Sequence, residues 1–171
     1  MKTNLYILDN YPKQVAACYI DNHVQSYIVD YAKILSACHH LNNPFAFKSS
    51  NKRIYRMCFK NHTITKWARV NTSHYEWLFG LWEALCNEYA FRFNKTHKTE
   101  KIKSDLRRKP HLVRSDEINF LQFLPDAFKV KNNAIQAYRN YYVEHFHSRA
   151  VWTNRGQPDW WITHLRNLES K

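Results

Sequence analysis

Two glycines in 171 residues, Gly80 and Gly156, restrict this chain more than any other feature of its sequence. Hairpin loops and tight β-turns draw on glycine for positive φ, so a sandwich or barrel of many short strands would lack its turn residues here. Helices joined by loops of Asn, Ser and Pro need far fewer such positions. Apolar and aromatic side chains (44% and 16%) suffice to bury a core and exclude a disordered chain. The expectation is a mainly α chain, one compact domain over residues 1–171, with about five helices and long irregular basic loops.

Periodicity places those helices. Residues 4–8 (Asn-Leu-Tyr-Ile-Leu) form a short extended or buried lead-in. Asp9 or Asn10 caps a helix with Pro12 in its first turn, running to about His40, with a break near Asp21-Asn22. Residues 41–70 are irregular and basic, and 53–59 form either a short strand or a helical turn. Ser73 and Glu76 have the spacing of a capping box and open a helix that ends at Phe93. Residues 95–114 read as a short helix and a loop at Pro110, and 116–131 as a loop with a helical turn or two at 118–123. A helix over 133–147 follows, and a last one starts at Pro158.

Lysine and arginine number 26 against 14 acids, a net charge of +12. Their distribution says more than their sum. Residues 31–75 contain no Asp or Glu, yet hold Lys33, Lys48, Lys52, Arg53, Arg56, Lys60, Lys66 and Arg69. Solvated helix faces usually mix signs, so a stretch of one sign this long points to phosphates. The expected partner is DNA, double-stranded in the first instance, with other nucleic acid left open. No apolar run approaches the ~20 residues of a membrane span, and the one after Met1 is cut at Asp9, too short for a signal peptide. Four scattered cysteines without a Cys-x-x-Cys pair read as reduced thiols. A cytoplasmic protein without a membrane partner is therefore expected.

The ten histidines include no i, i+4 pair, since His39-His40 are adjacent and His145 and His147 are two apart. No metal is expected on that spacing. Glycine-rich phosphate loops and nucleophile elbows are absent as patterns, and no cofactor is expected. Asp30 lies two turns after His23, so the two share a helix face with Tyr27 between them.

The order of these residues adds a resemblance. Asp21-Asn22-His23, followed seven residues later by Asp30, resembles the first helix of the phage pyrimidine-dimer DNA glycosylases (the endonuclease V family), where an Asp-x-His precedes a catalytic Glu at that interval. Asn61-His62, Thr65 and Trp67 resemble an Asn-His-Pro-x-Thr segment of bacterial relatives, with Thr63 where proline is usual. Residues 75–93, followed by Lys95, His97, Lys98 and Thr99, look like that family's long second helix and its terminal His-Lys-Ser/Thr. Roughly residues 1–100 are covered, and Tyr138, Tyr141, Tyr142 and Trp152 fit a group of small phage proteins.

The resemblance implies a pyrimidine-dimer DNA glycosylase-like helical fold and base excision (glycosylase/AP lyase) on damaged or modified pyrimidines. In that family an N-terminal α-amine attacks the sugar C1′ to form a Schiff base, while a carboxylate stabilises the developing cation. The catalytic candidates so implied are Met1 for the amine (Lys2 being the alternative), Asp30 for the carboxylate and His23 lining the pocket. Lys33 takes a DNA-contacting position just beyond Asp30. Arg53, Arg56, Lys60, His62, Lys66 and Arg69, with Lys95, His97 and Lys98, would hold the backbone. Two other uses stay open, a non-catalytic nucleic-acid-binding protein on the same scaffold and an enzyme of modified bases or nucleotides.

Overall fold

Regular structure among the described residues is all helical, seven α-helices and three 3-10 turns without a strand. The computed structural model describes residues 3–43 and 54–169. The helices are α1 (Pro12–Cys18), α2 (Asp21–Asn42), α3 (Thr63–Ala68), α4 (Thr72–Phe93), α5 (Lys103–Arg107), α6 (Ala134–Phe146) and α7 (Asp159–Glu169). Two more appear than expected because the anticipated first helix is divided and α3 is a six-residue piece inside a stretch that read as irregular, while α5 falls where a short helix was expected. None among the described residues is long and apolar enough to cross a membrane.

The anticipated first helix is two. Its break falls at Tyr19 and Ile20, whose backbones are extended. Here the Asp21 N–H leaves the helical ladder for the Val151 carbonyl, 2.9 Å away. Of the 22 side chains of α2, 14 are buried, which makes it the central helix rather than a surface one. Helix α4 packs against both α1 and α2. Gly80 lets α1 approach: a Cβ there would stand 3.3 Å from Pro12 Cγ. The lead-in enters the core, with Leu5, Tyr6, Ile7 and Leu8 all at most 2% exposed. Side chains serve its backbone, Tyr19 at Tyr6, Tyr31 at the Asn4 carbonyl and Arg139 at the Leu8 carbonyl.

Glycine does not supply the left-handed turns. Asn94, Asn132 and Asn154 take φ between 52° and 58°, as does Phe59 at 57°. Asparagine tolerates that region because its short amide bonds locally, and Asn94 ends α4 there. Three expectations need correction. The N-cap of α1 is Tyr11, without a side-chain cap bond, and Asp9 Oδ1 accepts the Tyr11 N–H instead. The N-cap of α4 is Asn71, which accepts the His74 N–H, while Ser73 donates to the Ser115 carbonyl and Glu76 pairs with Lys109. Residues 118–123 form no helical turn; a 3-10 turn lies later, at Asp126–Phe128. All four cysteines are free, Cys38 and Cys86 buried, Cys18 and Cys58 half-buried.

Candidate functional site

Asp30 sits on α2 with only 8% of its surface exposed, and Thr3 Oγ1 donates to its Oδ2 at 2.6 Å. The first described residue of the chain therefore lies on this carboxylate. The segment after residue 53 runs back along α2 to the same place. Tyr55 N–H donates to Ser36 Oγ and its carbonyl bonds His40 Nε2, while Cys58 lies in the field of Lys33 and Asp30. Phe59 turns the chain through its left-handed backbone, uncommon for a bulky residue. His62 then caps α3, its Nδ1 accepting the Ile64 N–H, beside Asp30 and bonded to the Thr3 backbone. Burial lowers the pKa of His62, and the Asp30 charge and the Thr3 bond offset part of that. Thr3, Asp30, Lys33, Cys58 and His62 thus share one place: a buried carboxylate rimmed by a cation and a neutral imidazole. Burial also raises the pKa of Cys58, which remains a thiol.

His23 belongs to the wall behind. Its ring stacks on Tyr27 (4.9 Å) and Tyr6 (5.4 Å) and meets Phe146 edge-on. Tyr142 Oη accepts the Ile20 N–H and lies 2.7 Å from His23 Nδ1, so it is placed to donate to that nitrogen. Seven residues of helix, about 10 Å, separate His23 from Asp30; Tyr27, in the field of Asp30, links the two. Burial pushes the His23 pKa down to about 3 from an ordinary 6.5. The fold keeps the ring neutral, whereas the unfolded chain takes up a proton below pH 6.5. Stability should therefore fall as pH drops from about 6.5 towards 3, by at most ~1.4 kcal/mol per pH unit from this group. Urea unfolding at pH 7, 6 and 5 measures this slope. His23→Phe should make it shallower, the remainder coming from His62, His74 and His97, whose pKa values burial also lowers; an unchanged slope would remove His23 as a source.

The other candidates spread over two regions. Arg56 and Lys60 are exposed on the returning segment, and Lys66 on α3. Arg69 instead bonds Asn42 Oδ1 at the end of α2, about 18 Å along the helix from Asp30. The second basic stretch divides. Lys103 and Arg107 pair with Glu83, and Lys109 with Glu76, so its later half neutralises α4. Lys95 and Lys98 make no ion pair among the described residues, nor do Lys33, Arg56, Lys60 and Lys66. His97 Nδ1 accepts the Thr99 N–H. Met1 and Arg53, with Lys48 and Lys52, lie outside the described residues.

Sequence reasoning missed Thr3, Cys58 and Arg149. The Arg149 guanidinium lies 5.0 Å over the Phe146 ring and acts on His23 and Tyr6, extending the cationic rim along the aromatic wall. Nothing local in the sequence marks Thr3 or Arg149; Cys58 stood in the acid-free stretch as one more buried thiol. No protein-family model matches the chain, and neither the curated proteins nor the solved structures contain a significant match.

Proposed function

We propose that the protein binds DNA across the face around Asp30 and excises damaged or modified pyrimidines there, as a DNA glycosylase with AP-lyase activity. The observation that carries this reading is the Thr3–Asp30 hydrogen bond. On this reading the nucleophile is an α-amine at Met1, joined to Thr3 by two residues of chain that span at most ~7 Å. Amine and carboxylate are the pair this chemistry needs. The amine attacks C1′ and the base leaves; the resulting iminium permits elimination of the 3′ phosphate. Asp30 holds the positive charge that develops. An α-amine of ordinary pKa near 8 is partly neutral at physiological pH and needs no deep burial to attack. Lys33, Arg56, Lys60 and Lys66 hold phosphates, and His23 acts indirectly by fixing Tyr27.

Borohydride reduction with an abasic duplex tests the reading directly. Wild-type protein should yield a covalent adduct whose attachment maps by mass spectrometry to the first residue. Intact duplex binding without an adduct would leave the alternative, a binding protein on the same scaffold. The electrostatic premise has its own check. Duplex affinity should fall linearly in log–log form with salt, and Lys33→Ala should lower the slope by about 1. Salt-independent affinity would remove phosphate contact as the basis of binding.

A further inference from the structure

A cleft of about 580 Å³ opens beside α2 between Val29, Tyr55, Tyr89 and residues 95–99. That is within the range of sites for small organic ligands. Its lining divides by chemistry. Tyr55 and Tyr89 bring flat aromatic surface, and Tyr89 is braced edge-on by Phe93 (5.2 Å) and His97 (5.1 Å). Lys95 and Lys98 bring exposed ammonium groups without an ion pair among the described residues. Because His97 Nδ1 accepts the Thr99 N–H, the proton of the neutral ring sits on Nε2, and no described residue accepts it. Burial lowers the pKa of His97, which keeps the ring neutral at physiological pH. Stacking surface, two cations and a fixed N–H donor are together what one nucleotide requires, a π face, a phosphate and a sugar.

We propose that this cleft binds a single nucleoside monophosphate unit, its base against Tyr55 and Tyr89 and its phosphate held by Lys95 and Lys98. The His97 Nε2–H donates to a sugar or phosphate oxygen. The unit is either a free nucleotide or an unpaired nucleotide of a strand. Lys95, His97 and Lys98 are also candidate duplex contacts, and to that extent the inference rests on the reading above.

Calorimetric titration with deoxyadenosine 5′-monophosphate tests it. Saturable binding is expected, with deoxyadenosine and inorganic phosphate each at least tenfold weaker. Lys95→Glu/Lys98→Glu, both on exposed side chains, should weaken binding at least tenfold, and Tyr89→Leu at least fivefold, with folding checked by circular dichroism. A duplex carrying one unpaired 2-aminopurine identifies the source. Preference for it over the paired duplex, lost in the double lysine variant, assigns the cleft to a strand nucleotide even where the free nucleotide binds weakly. Phosphate binding as tight as the nucleotide would overturn the proposal, leaving a simple anion contact. So would a double variant that binds both probes as wild type does, or the absence of binding to either probe. An undiminished borohydride adduct in that last case would leave the lyase reading standing. Nucleotide binding without any adduct would leave the cleft and remove the lyase.

Discussion

Asp30→Asn is expected to lower the rate of borohydride-trapped adduct formation by about 10²–10³-fold, with duplex affinity unchanged within about twofold. The substitution is nearly isosteric, and the amide oxygen still accepts from Thr3 Oγ1, so the segment at Thr3 stays docked. What disappears is a negative charge beside the place where an iminium would form, and with it a proton acceptor. At 8% exposure that charge is poorly screened, which is why the loss should exceed that of a surface carboxylate. Thr3→Val separates position from charge. It removes the hydrogen bond and keeps the carboxylate, so adduct formation should stay within about tenfold of wild type. Asp30→Glu restores charge but displaces it by about 1 Å, and should recover only part of the rate. Trapping at the wild-type rate in Asp30→Asn would remove Asp30 from the chemistry. A Thr3→Val loss as large as that of Asp30→Asn would show that docking of the lead-in, not charge, was what mattered.

What the sequence could show follows from how local each decision is. Helix α4 was legible to within a residue because its apolar stripe repeats with the helical period. Its cap was not. Ser73 and Glu76 match the capping-box spacing, but Asn71 wins because its amide also donates to the Glu117 carbonyl, forty-odd residues away. The same loop explains the missing turn at 118–123. The Trp67 indole bonds the Asn119 carbonyl, His74 Nε2 takes the Asn119 N–H, and the Tyr138 hydroxyl serves both Phe123 N–H and the Leu121 carbonyl. With α3, α4 and α6 satisfying its backbone, that segment has no need of helical bonds. The candidate site divides likewise. Asp30, Lys33 and His62 stood out by charge or motif. Thr3 joins them only because the lead-in is threaded through the core, and Arg149 only because α6 closes the aromatic wall.

The largest stability effect should come from Arg92, which composition hides among 26 cations. Its side chain is wholly buried, and it bonds Glu88 Oε2 at 2.9 Å, Asp21 Oδ1 at 3.0 Å and the carbonyls of Tyr19 (2.7 Å) and Ala17 (2.9 Å). It thereby closes the end of α1 and fixes the start of α2. Arg155 completes the group with a fork onto Glu88, and Thr153 bonds Asp21 through N–H and hydroxyl. Two cations thus face two carboxylates. Arg92→Met keeps much of the volume but leaves Asp21 and Glu88 short of a buried counter-charge and several carbonyls short of a donor. Breaking such a pair from one side costs about 3–5 kcal/mol, even where the intact pair contributes little net stability. In urea this appears as a lower midpoint at unchanged slope, and on heating as a drop of about 10 °C for a chain of this size. Arg92→Lys keeps the charge but lacks the planar fork that reaches both carboxylates and the carbonyls, so it should fall between Met and wild type. Arg155→Ala, at the more exposed side of the same Glu88, should cost less than either. A loss below about 1 kcal/mol in Arg92→Met would mean that α1 and α2 hold their junction without this brace. Since Asp30 lies on α2 nine residues beyond Asp21, a loosened junction would also reach the carboxylate. The Arg92→Lys protein should then lose adduct formation under conditions where it is still fully folded, while its salt-dependent binding persists.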